Sequence, residues 1–438
     1  MSNAVNTLGL NAGEGVPLRV THPLYGGTFA TNTPASLPFV LPGELVSLTG
    51  AVAEAATARV SPVCVHFGIC GGCHYQHAAY PVELDLKREM LTGLLAQSGL
   101  RNLPAITVES GPEYHYRNRI RLRLEPAVDG FFQAGYSLPG TNQFLPITMC
   151  PISAPLLWRA IEAILNLGNA DPLARRWLTI TGELELVTNP DESRLQLQFF
   201  VRAGEAGKRE ASSFGGLCER IQSVLPELAG ASALLDPDLN RRARRAWSGV
   251  TWGAEGLVYP VAGRNYWVPR GAFFQVNRFL VDSLVRLVTT GKSGQIAWDL
   301  YAGVGLFTLA LADTFRNIVA VEGTEAAAVS LAAVKPNTGA GRVEPIHAAT
   351  VEFLRGRQNQ RETPDLIICD PPRAGLGAEA SEMLVRIGAP ELVYVSCDPT
   401  SLVRDLAILT KSYKVKQMHL IDLFPQTYHI ETVVHLTR

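Results

Sequence analysis

Three short segments in the last quarter of the 438-residue sequence carry side chains suited to covalent chemistry on a flat ring. Val393-Tyr394-Val395-Ser396-Cys397-Asp398-Pro399 sets a cysteine at the tip of an apolar run, ahead of a helix expected over 401–409. A thiol there opens onto a crevice, and nearby backbone donors favour its thiolate. Asp370-Pro371-Pro372-Arg373 follows a second apolar run. Its two prolines remove backbone donors and stiffen the loop, so a carboxylate and backbone carbonyls can be held against a planar base. The third segment, Phe424 to Val434, places Glu431 immediately before an apolar strand. One chemistry uses all three, the methylation of uracil at carbon 5. Carbon 5 is a poor nucleophile until a thiolate adds to carbon 6 and turns the ring into an enolate, which can take a methyl group from a sulfonium. A base must then remove the carbon-5 proton so that the thiolate can leave. Cys397 would be the nucleophile and Glu431 the base, a role that contributes ~10²–10⁴-fold. The plain alternatives are a small buried hydrophobe, a surface carboxylate and a strand-ending turn. Cys369, inside an apolar run, reads as an inert core residue.

Asp299-Leu300-Tyr301-Ala302-Gly303-Val304-Gly305-Leu306-Phe307 follows one apolar run and opens a helix. Gly303 and Gly305 permit a tight turn and close approach of a ligand to backbone. Glu322 ends the next run, at the distance from Asp299 where a carboxylate suits ribose hydroxyls. A dinucleotide site would want a third glycine, and position 308 is Thr. An adenosyl ligand without pyrophosphate therefore fits better.

Seven cysteines, with no secretory leader pattern before them, argue for metal or catalytic use rather than disulfides. Cys64, Cys70, Cys73 and the distant Cys150 supply four thiolates, which suit zinc or an iron–sulfur cluster. Only Cys70 and Cys73 have the spacing of a zinc knuckle. His66, His74 and His77 read as surface residues and Cys218 as core.

These side chains need a scaffold. From about residue 268, the apolar runs 295–299, 318–322, 365–370 and 391–397 alternate with helical stretches. That is the pattern of an α/β fold whose parallel sheet is covered on both faces. Ligands bind beyond the carboxyl ends of such strands, so Asp299, Glu322, Asp370 and Cys397 should meet in one crevice. The chain divides into a small β segment over 1–60, a central α+β unit over 61–267 and the α/β unit over 268–438. A helix is expected over 81–98 with Leu84, Met90, Leu91, Leu94 and Leu95 on its apolar face. A hairpin is expected from 178–187 and 194–201. Arg117, Arg119, Arg121 and Arg123 alternate with apolar residues, so a strand would set them on one face, flanked by Tyr114, Tyr116, Phe131 and Phe132. Arg241, Arg242, Arg244 and Arg245 form a second basic cluster. Basic groups hold phosphates and aromatics stack on unpaired bases, although a solvated surface explains either cluster equally well. With 39 basic and 40 acidic residues, any nucleic-acid contact must be local. No apolar run is long enough to span a membrane, and a cytoplasmic location without a membrane partner is expected.

At this point the sequence resembles the RNA 5-methyluridine methyltransferase family, which has 23S rRNA and tRNA branches. The resemblance covers 61–438 and rests on Cys64-x5-Cys70-x2-Cys73, Phe273-Phe274-Gln275-Val276-Asn277, Asp299–Phe307, Asp370–Arg373, Ser396–Pro399 and Tyr428–Glu431. It implies a Rossmann-like domain that uses S-adenosyl-L-methionine, with Cys397 as nucleophile and Glu431 as base. It implies cofactor contacts from Gln275, Tyr301, Glu322 and Asp370 beside the glycine turn, and a [4Fe–4S] cluster on Cys64, Cys70, Cys73 and Cys150. Residues 17–49 look like a shortened TRAM β-barrel, an oligonucleotide-binding type of unit. RNA contacts are expected from Arg117, Arg119, Arg121 and Phe273, with 23S rRNA as the expected substrate, tRNA the alternative, and no obligate protein partner. Leu306, Ala302 and Asp398 depart from common family residues (Asn, Cys and Asn). The rivals are a methyltransferase without covalent catalysis and a non-catalytic RNA-binding protein on the same fold. A DNA cytosine-5 enzyme would carry a Pro-Cys pair in the Asp370 loop, which this sequence lacks.

Overall fold

The computed structural model describes residues 17–202, 204–235, 248–332, 341–357 and 363–438. The basic cluster at 241–245 lies outside them.

The apolar runs of the C-terminal part form an eight-stranded sheet. Its order is Arg342–His347, Phe315–Glu322, Gly294–Leu300, Leu366–Cys369, Glu391–Ser396, Glu431–Thr437, Lys414–Ile421 and Ile106–Glu109. The first five strands are parallel, as the continuous apolar runs imply. Glu431–Thr437 departs from that pattern and runs antiparallel to both neighbours. The connection 422–430 is too short for a parallel crossover, which needs a dozen residues or more, and so folds back directly. The outermost strand, Ile106–Glu109, comes from the segment expected to lie in the central unit and pairs in parallel with Lys414–Ile421.

Apolar side chains cover both faces of this sheet. On one face, Trp298, Leu300, Leu392, Tyr394 and Leu402 share a core with Leu18, Val20 and Phe29 of the N-terminal strands and with Leu86, Met90 and Leu91 of the helix Tyr80–Gln97. On the other, Val393, Val395 and Val433 pack with the hairpin Gly256–Val261/Arg264–Pro269 and the helix Val281–Thr289. The helix Tyr80–Gln97 starts where Pro81 suits a first turn. Its buried face is rotated from the expected one. It comprises Glu83, Leu86, Lys87, Met90, Leu91 and Leu95, while Leu84 and Leu94 are only half-buried. Charge pairing causes the rotation: Lys87 Nζ donates to Asp422 Oδ1 at 2.6 Å and to the Phe424 carbonyl at 3.1 Å, and pairs with Glu83 Oε1 at 2.8 Å.

The central sheet has seven strands and its own core, built with the helices Pro155–Ala170, Pro172–Ile180 and Phe214–Val224. The expected hairpin is present as Thr181–Thr188 against Leu195–Val201. Residues 178–180 are helical instead, because Asp171 caps a helix opened by Pro172, accepting from the Leu173 and Ala174 amides. The N-terminal residues form five short strands in the order Ser36–Pro38, Thr28–Thr31, Leu18–Leu24, Leu45–Val46 and Val52–Glu54. Among the described residues, no helix is long and apolar enough to cross a membrane.

Candidate active site

Strand register brings the two principal side chains together. Glu391–Ser396 and Glu431–Thr437 pair antiparallel, and the last pair is Ser396 with Thr432. One further step of that register sets Cys397 opposite Glu431. The turn after Cys397 is rigid: Ser396 Oγ donates to the Asp398 carbonyl at 3.0 Å, and Asp398 Oδ1 accepts from the Thr400 and Ser401 amides at 3.0 and 2.9 Å, capping the helix Pro399–Leu409. Cys397 is half-buried at the strand tip, whereas Glu431 is only 3% exposed.

The crevice is strongly acidic. Burial, then the charge of Asp370, raises the Glu431 carboxyl well above the ordinary range. Asp370 is pushed up to about 7 by burial and then by Asp299. Asp299 is itself at about 7 through burial, with Glu322 adding to the rise and the Thr308 hydroxyl opposing it. Burial, Glu431 and Asp370 push the Cys397 thiol up to about 12, and Arg373 pulls it back. Arg373 also lies 3.3 Å from the His429 ring, between Nη2 and Nε2. Asp299, Glu322, Asp370 and Cys397 thus share one edge of the sheet with Glu431, which enters from the antiparallel strand.

The glycine turn has the expected form. Tyr301, Gly303 and Gly305 all adopt left-handed φ, at 63°, 57° and 89°. A Cβ on Gly303 would meet nothing within 4 Å, so glycine is needed there for conformation and leaves open space beside it. Glu322 pins the turn, with Oε2 accepting from the Gly303 amide at 2.8 Å and Oε1 from the Thr324 amide and hydroxyl at 2.6 and 2.7 Å. Gln275 is buried, and its carbonyl accepts from Asn118 Nδ2 at 3.1 Å, while Asn277 Nδ2 donates to the Leu423 carbonyl at 3.1 Å. The 273–277 run therefore ties the central sheet to the loop that leads into Glu431. Phe273, at its start, is 66% exposed.

The four cysteines gather. Cys73 is buried and its thiol is pushed up to about 12, by burial first and then by Cys150, Cys70 and Cys64. Cys73 and Cys150 pack with Tyr116, Ile152, Phe67 and Tyr114, and all seven cysteines are free of disulfides. Among the described residues, no three or more His, Cys, Asp or Glu are already arranged to hold a metal ion. His66 is half-buried, with Nε2 3.1 Å from the Thr148 hydroxyl. His77 corrects the surface expectation: it is 1% exposed, with Nε2 on the Val40 carbonyl at 3.1 Å, because neighbouring Tyr75 and Ala78 belong to the core. Cys218 and Cys369 are fully buried.

The arginine row lies on one face of Arg119–Pro126, as its alternation implies. Carboxylates meet it there. Arg119 pairs with Glu185 at 3.5 Å, Arg121 with Glu183, and Arg123 with Glu125 at 3.0 Å. Two of these carboxylates stand on the adjacent strand Thr181–Thr188, whose identity as partner no local pattern could reveal. Arg117 Nε donates to the Arg119 carbonyl at 3.0 Å. Of the flanking aromatics, Tyr116 and Phe132 are core residues and Phe131 is exposed. Lys87, Glu83 and Asp422 escape a reading of the sequence. Their only local signal is a pair of opposite charges four residues apart on an otherwise apolar helix face.

Residues 257–438 match the tRNA (uracil-5-)-methyltransferase family model. An uncharacterized RNA methyltransferase of Caldanaerobacter subterraneus is 28% identical, over 96% of this chain and 93% of its own length. Another, from Thermotoga maritima, is 27% identical, over 90% of this chain and 88% of its own length. The crystal structure of Pyrococcus abyssi tRNA (uracil-54, C5)-methyltransferase in complex with S-adenosyl-L-homocysteine superposes with a TM-score of 0.74 at 22% identity, covering 96% of this chain and 99% of that one. The overall architecture is thus an α/β fold like that of the Pyrococcus enzyme, with mixed sheets. Residues 257–438, the segment that contains the crevice, are thus similar to the tRNA (uracil-5-)-methyltransferase family.

Proposed function

We propose that the protein methylates carbon 5 of a uridine in structured RNA through covalent addition of Cys397. The observation that carries this reading is the register that faces Cys397 with Glu431 at the mouth of an acidic crevice. S-Adenosylmethionine, when bound, supplies an electrophilic methyl group on a cationic sulfonium. The crevice fits such a ligand. Among the described residues, Asp299, Glu322, Asp370 and Glu431 form no ion pair with Lys or Arg, and for the buried Asp299, Glu322 and Glu431 the lack of a cation is costly. Gln275, Tyr301, Gly303, Gly305, Glu322 and Asp370 would line the cofactor site. Glu322 Oε2, which accepts only the Gly303 amide, keeps a lone pair free for a ribose hydroxyl.

Cys397 adds through sulfur to carbon 6 of the uracil. Arg373 favours the thiolate that this step needs. After carbon 5 has gained its methyl group, Glu431 takes the carbon-5 proton, the carbon–sulfur bond breaks and Cys397 is restored. A uracil inside a duplex is out of reach, so the target is an unpaired or extruded base. Phe273 offers an exposed ring for stacking beside the crevice. Arg117 is the better placed of the arginines to meet phosphate, since Arg119 and Arg121 would first have to leave Glu185 and Glu183.

The thiols of Cys64, Cys70, Cys73 and Cys150 would hold a [4Fe–4S] cluster with a structural or RNA-positioning role. Their gathering from two distant segments, free of disulfides, supports this. Anaerobically purified protein should contain iron and sulfide; zinc alone would overturn the assignment. The five-stranded N-terminal sheet is read as a TRAM-like unit beside a central unit over 61–267 and a methyltransferase unit over 268–438. The family description and the Pyrococcus enzyme favour tRNA as a second reading of the substrate next to 23S rRNA.

The test is methyl transfer from labelled S-adenosylmethionine to bulk rRNA and tRNA that lack 5-methyluridine, comparing wild type with Cys397→Ala. Formation of 5-methyluridine by wild type and none by the variant is expected, and the labelled fraction names the RNA. Another methylated nucleoside, or an active Cys397→Ala, would remove the covalent mechanism.

A further inference from the structure

The turn between the first two N-terminal strands lies far outside the segment that matches the family model, yet it reaches the crevice. Tyr25 Oη donates to Asp398 Oδ2 at 2.9 Å. The other oxygen of the same carboxylate caps the helix that begins just after Cys397. The Tyr25 ring meets the Tyr428 ring edge-on, with centroids 5.4 Å apart. Tyr428 in turn packs on His74 at 4.7 Å and on His429 at 4.3 Å. Gly27 closes the same turn at φ 87°, so tightly that a Cβ there would lie 2.6 Å from the His74 ring. One side chain thus touches both the residue that follows Cys397 and the residue three positions before Glu431.

We propose that Tyr25 is a positioning residue for the active site, holding the Cys397 turn and the Glu431 loop in fixed relation. The N-terminal sheet is then a working part of the crevice as well as a candidate RNA-binding surface. A hydroxyl that donates to a carboxylate makes a charge-assisted hydrogen bond, stronger than a neutral one and directional. Its effect on Cys397 runs through Asp398, the immediate chain neighbour. Its ring holds Tyr428, which shares a short loop with Glu431. The inference rests on the reading of Cys397 and Glu431 as nucleophile and base.

Tyr25→Phe keeps the ring contact and removes only the hydroxyl. Single-turnover methylation of bulk RNA lacking 5-methyluridine, at saturating RNA and S-adenosylmethionine, should slow by ~10-fold, the scale of a small misplacement of reacting groups. The RNA concentration for half-maximal rate and the melting temperature should stay near wild type. In an Asp398→Ala background, Tyr25→Phe should cause no further slowing, because the two residues act through one bond. A raised half-maximal RNA concentration with an unchanged maximal rate would overturn the proposal in favour of direct RNA contact. Unchanged kinetics, or full additivity with Asp398→Ala, would also overturn it. A parallel Cys397→Ala control separates the two readings: full activity there removes the covalent mechanism, whereas an inactive Cys397→Ala beside a wild-type-like Tyr25→Phe removes only the role of Tyr25.

Discussion

The crevice of the C-terminal sheet and the arginine row of the central sheet treat charge in opposite ways. In the crevice, burial raises the carboxyls of Asp299, Asp370 and Glu431, Asp299 adds to the rise at Asp370 and Asp370 to that at Glu431, and among the described residues none of the three meets a basic partner. On the central sheet, Arg119, Arg121 and Arg123 each face a glutamate. A balanced row can persist by itself at a half-exposed surface. An unbalanced buried cluster is tolerated only where a ligand or bound protons complete it. The contrast teaches that a regular array of like charges in sequence is weak evidence of a binding face, because a neighbouring strand can neutralise it. Scattered carboxylates that the fold collects are stronger evidence.

The largest effect expected concerns the base. Glu431→Gln should lower turnover by ~10²–10⁴-fold and accumulate a protein–RNA adduct through Cys397, visible as a denaturation-resistant band. Rapid release of unmodified RNA would detach Glu431 from the crevice chemistry. Next is the clamp behind the crevice, where Lys87 stands between Glu83 and Asp422 with no solvent exposure on any of the three side chains. Lys87→Met leaves both carboxylates buried without their cation and should destabilise the protein by about 3–5 kcal/mol in denaturant titrations. A loss below about 1 kcal/mol would show that the pair is dispensable.

Asp299 gives a pH-dependent effect. Its carboxyl, ordinarily at 3.8, is held up to about 7 in the folded protein. Between those values the folded state keeps a proton that the unfolded chain has released, so stability is lost as pH rises through the window and levels off above about 7. Asp299→Asn removes this slope. The variant should gain on wild type by on the order of 2–4 kcal/mol from low to neutral pH, measured by unfolding at several pH values. A constant difference would mean that Asp299 stays ionised. The smallest effect lies on the central sheet. Arg121→Gln should cost less than about 1 kcal/mol of stability, and should change the salt dependence of RNA binding little, because Glu183 already neutralises it. A drop of about one unit in the salt slope would give the arginine row back to RNA.

Much of the crevice is legible in the amino-acid sequence. The polar residue ending each apolar run marks the strand tips, and the tips of parallel strands share one edge by topology alone. Such patterns do not reveal the antiparallel direction of the last strand, which depends on the brevity of 422–430. Nor do they reveal the buried charges on the helix Tyr80–Gln97, because Lys87 and Glu83 look like solvent-facing residues until Asp422 is brought to them from more than 300 positions away. The edge strand Ile106–Glu109 joins the C-terminal sheet rather than the expected central unit for a related reason: a four-residue strand carries no mark of its partner.

The amino-acid sequence by itself determined the chemistry available to this protein: a thiol and a carboxylate at strand ends, a glycine turn, three clustered cysteines and the α/β alternation that aligns them. Those features are local, set by residue type and by periods of two or a few residues. Only the tertiary structure decided which charges are balanced and which are not, that Glu431 enters from an antiparallel strand to face Cys397, and that Tyr25 reaches Asp398 across the fold. Those outcomes depend on pairings between residues far apart in the chain, which burial and strand register select and local pattern does not encode.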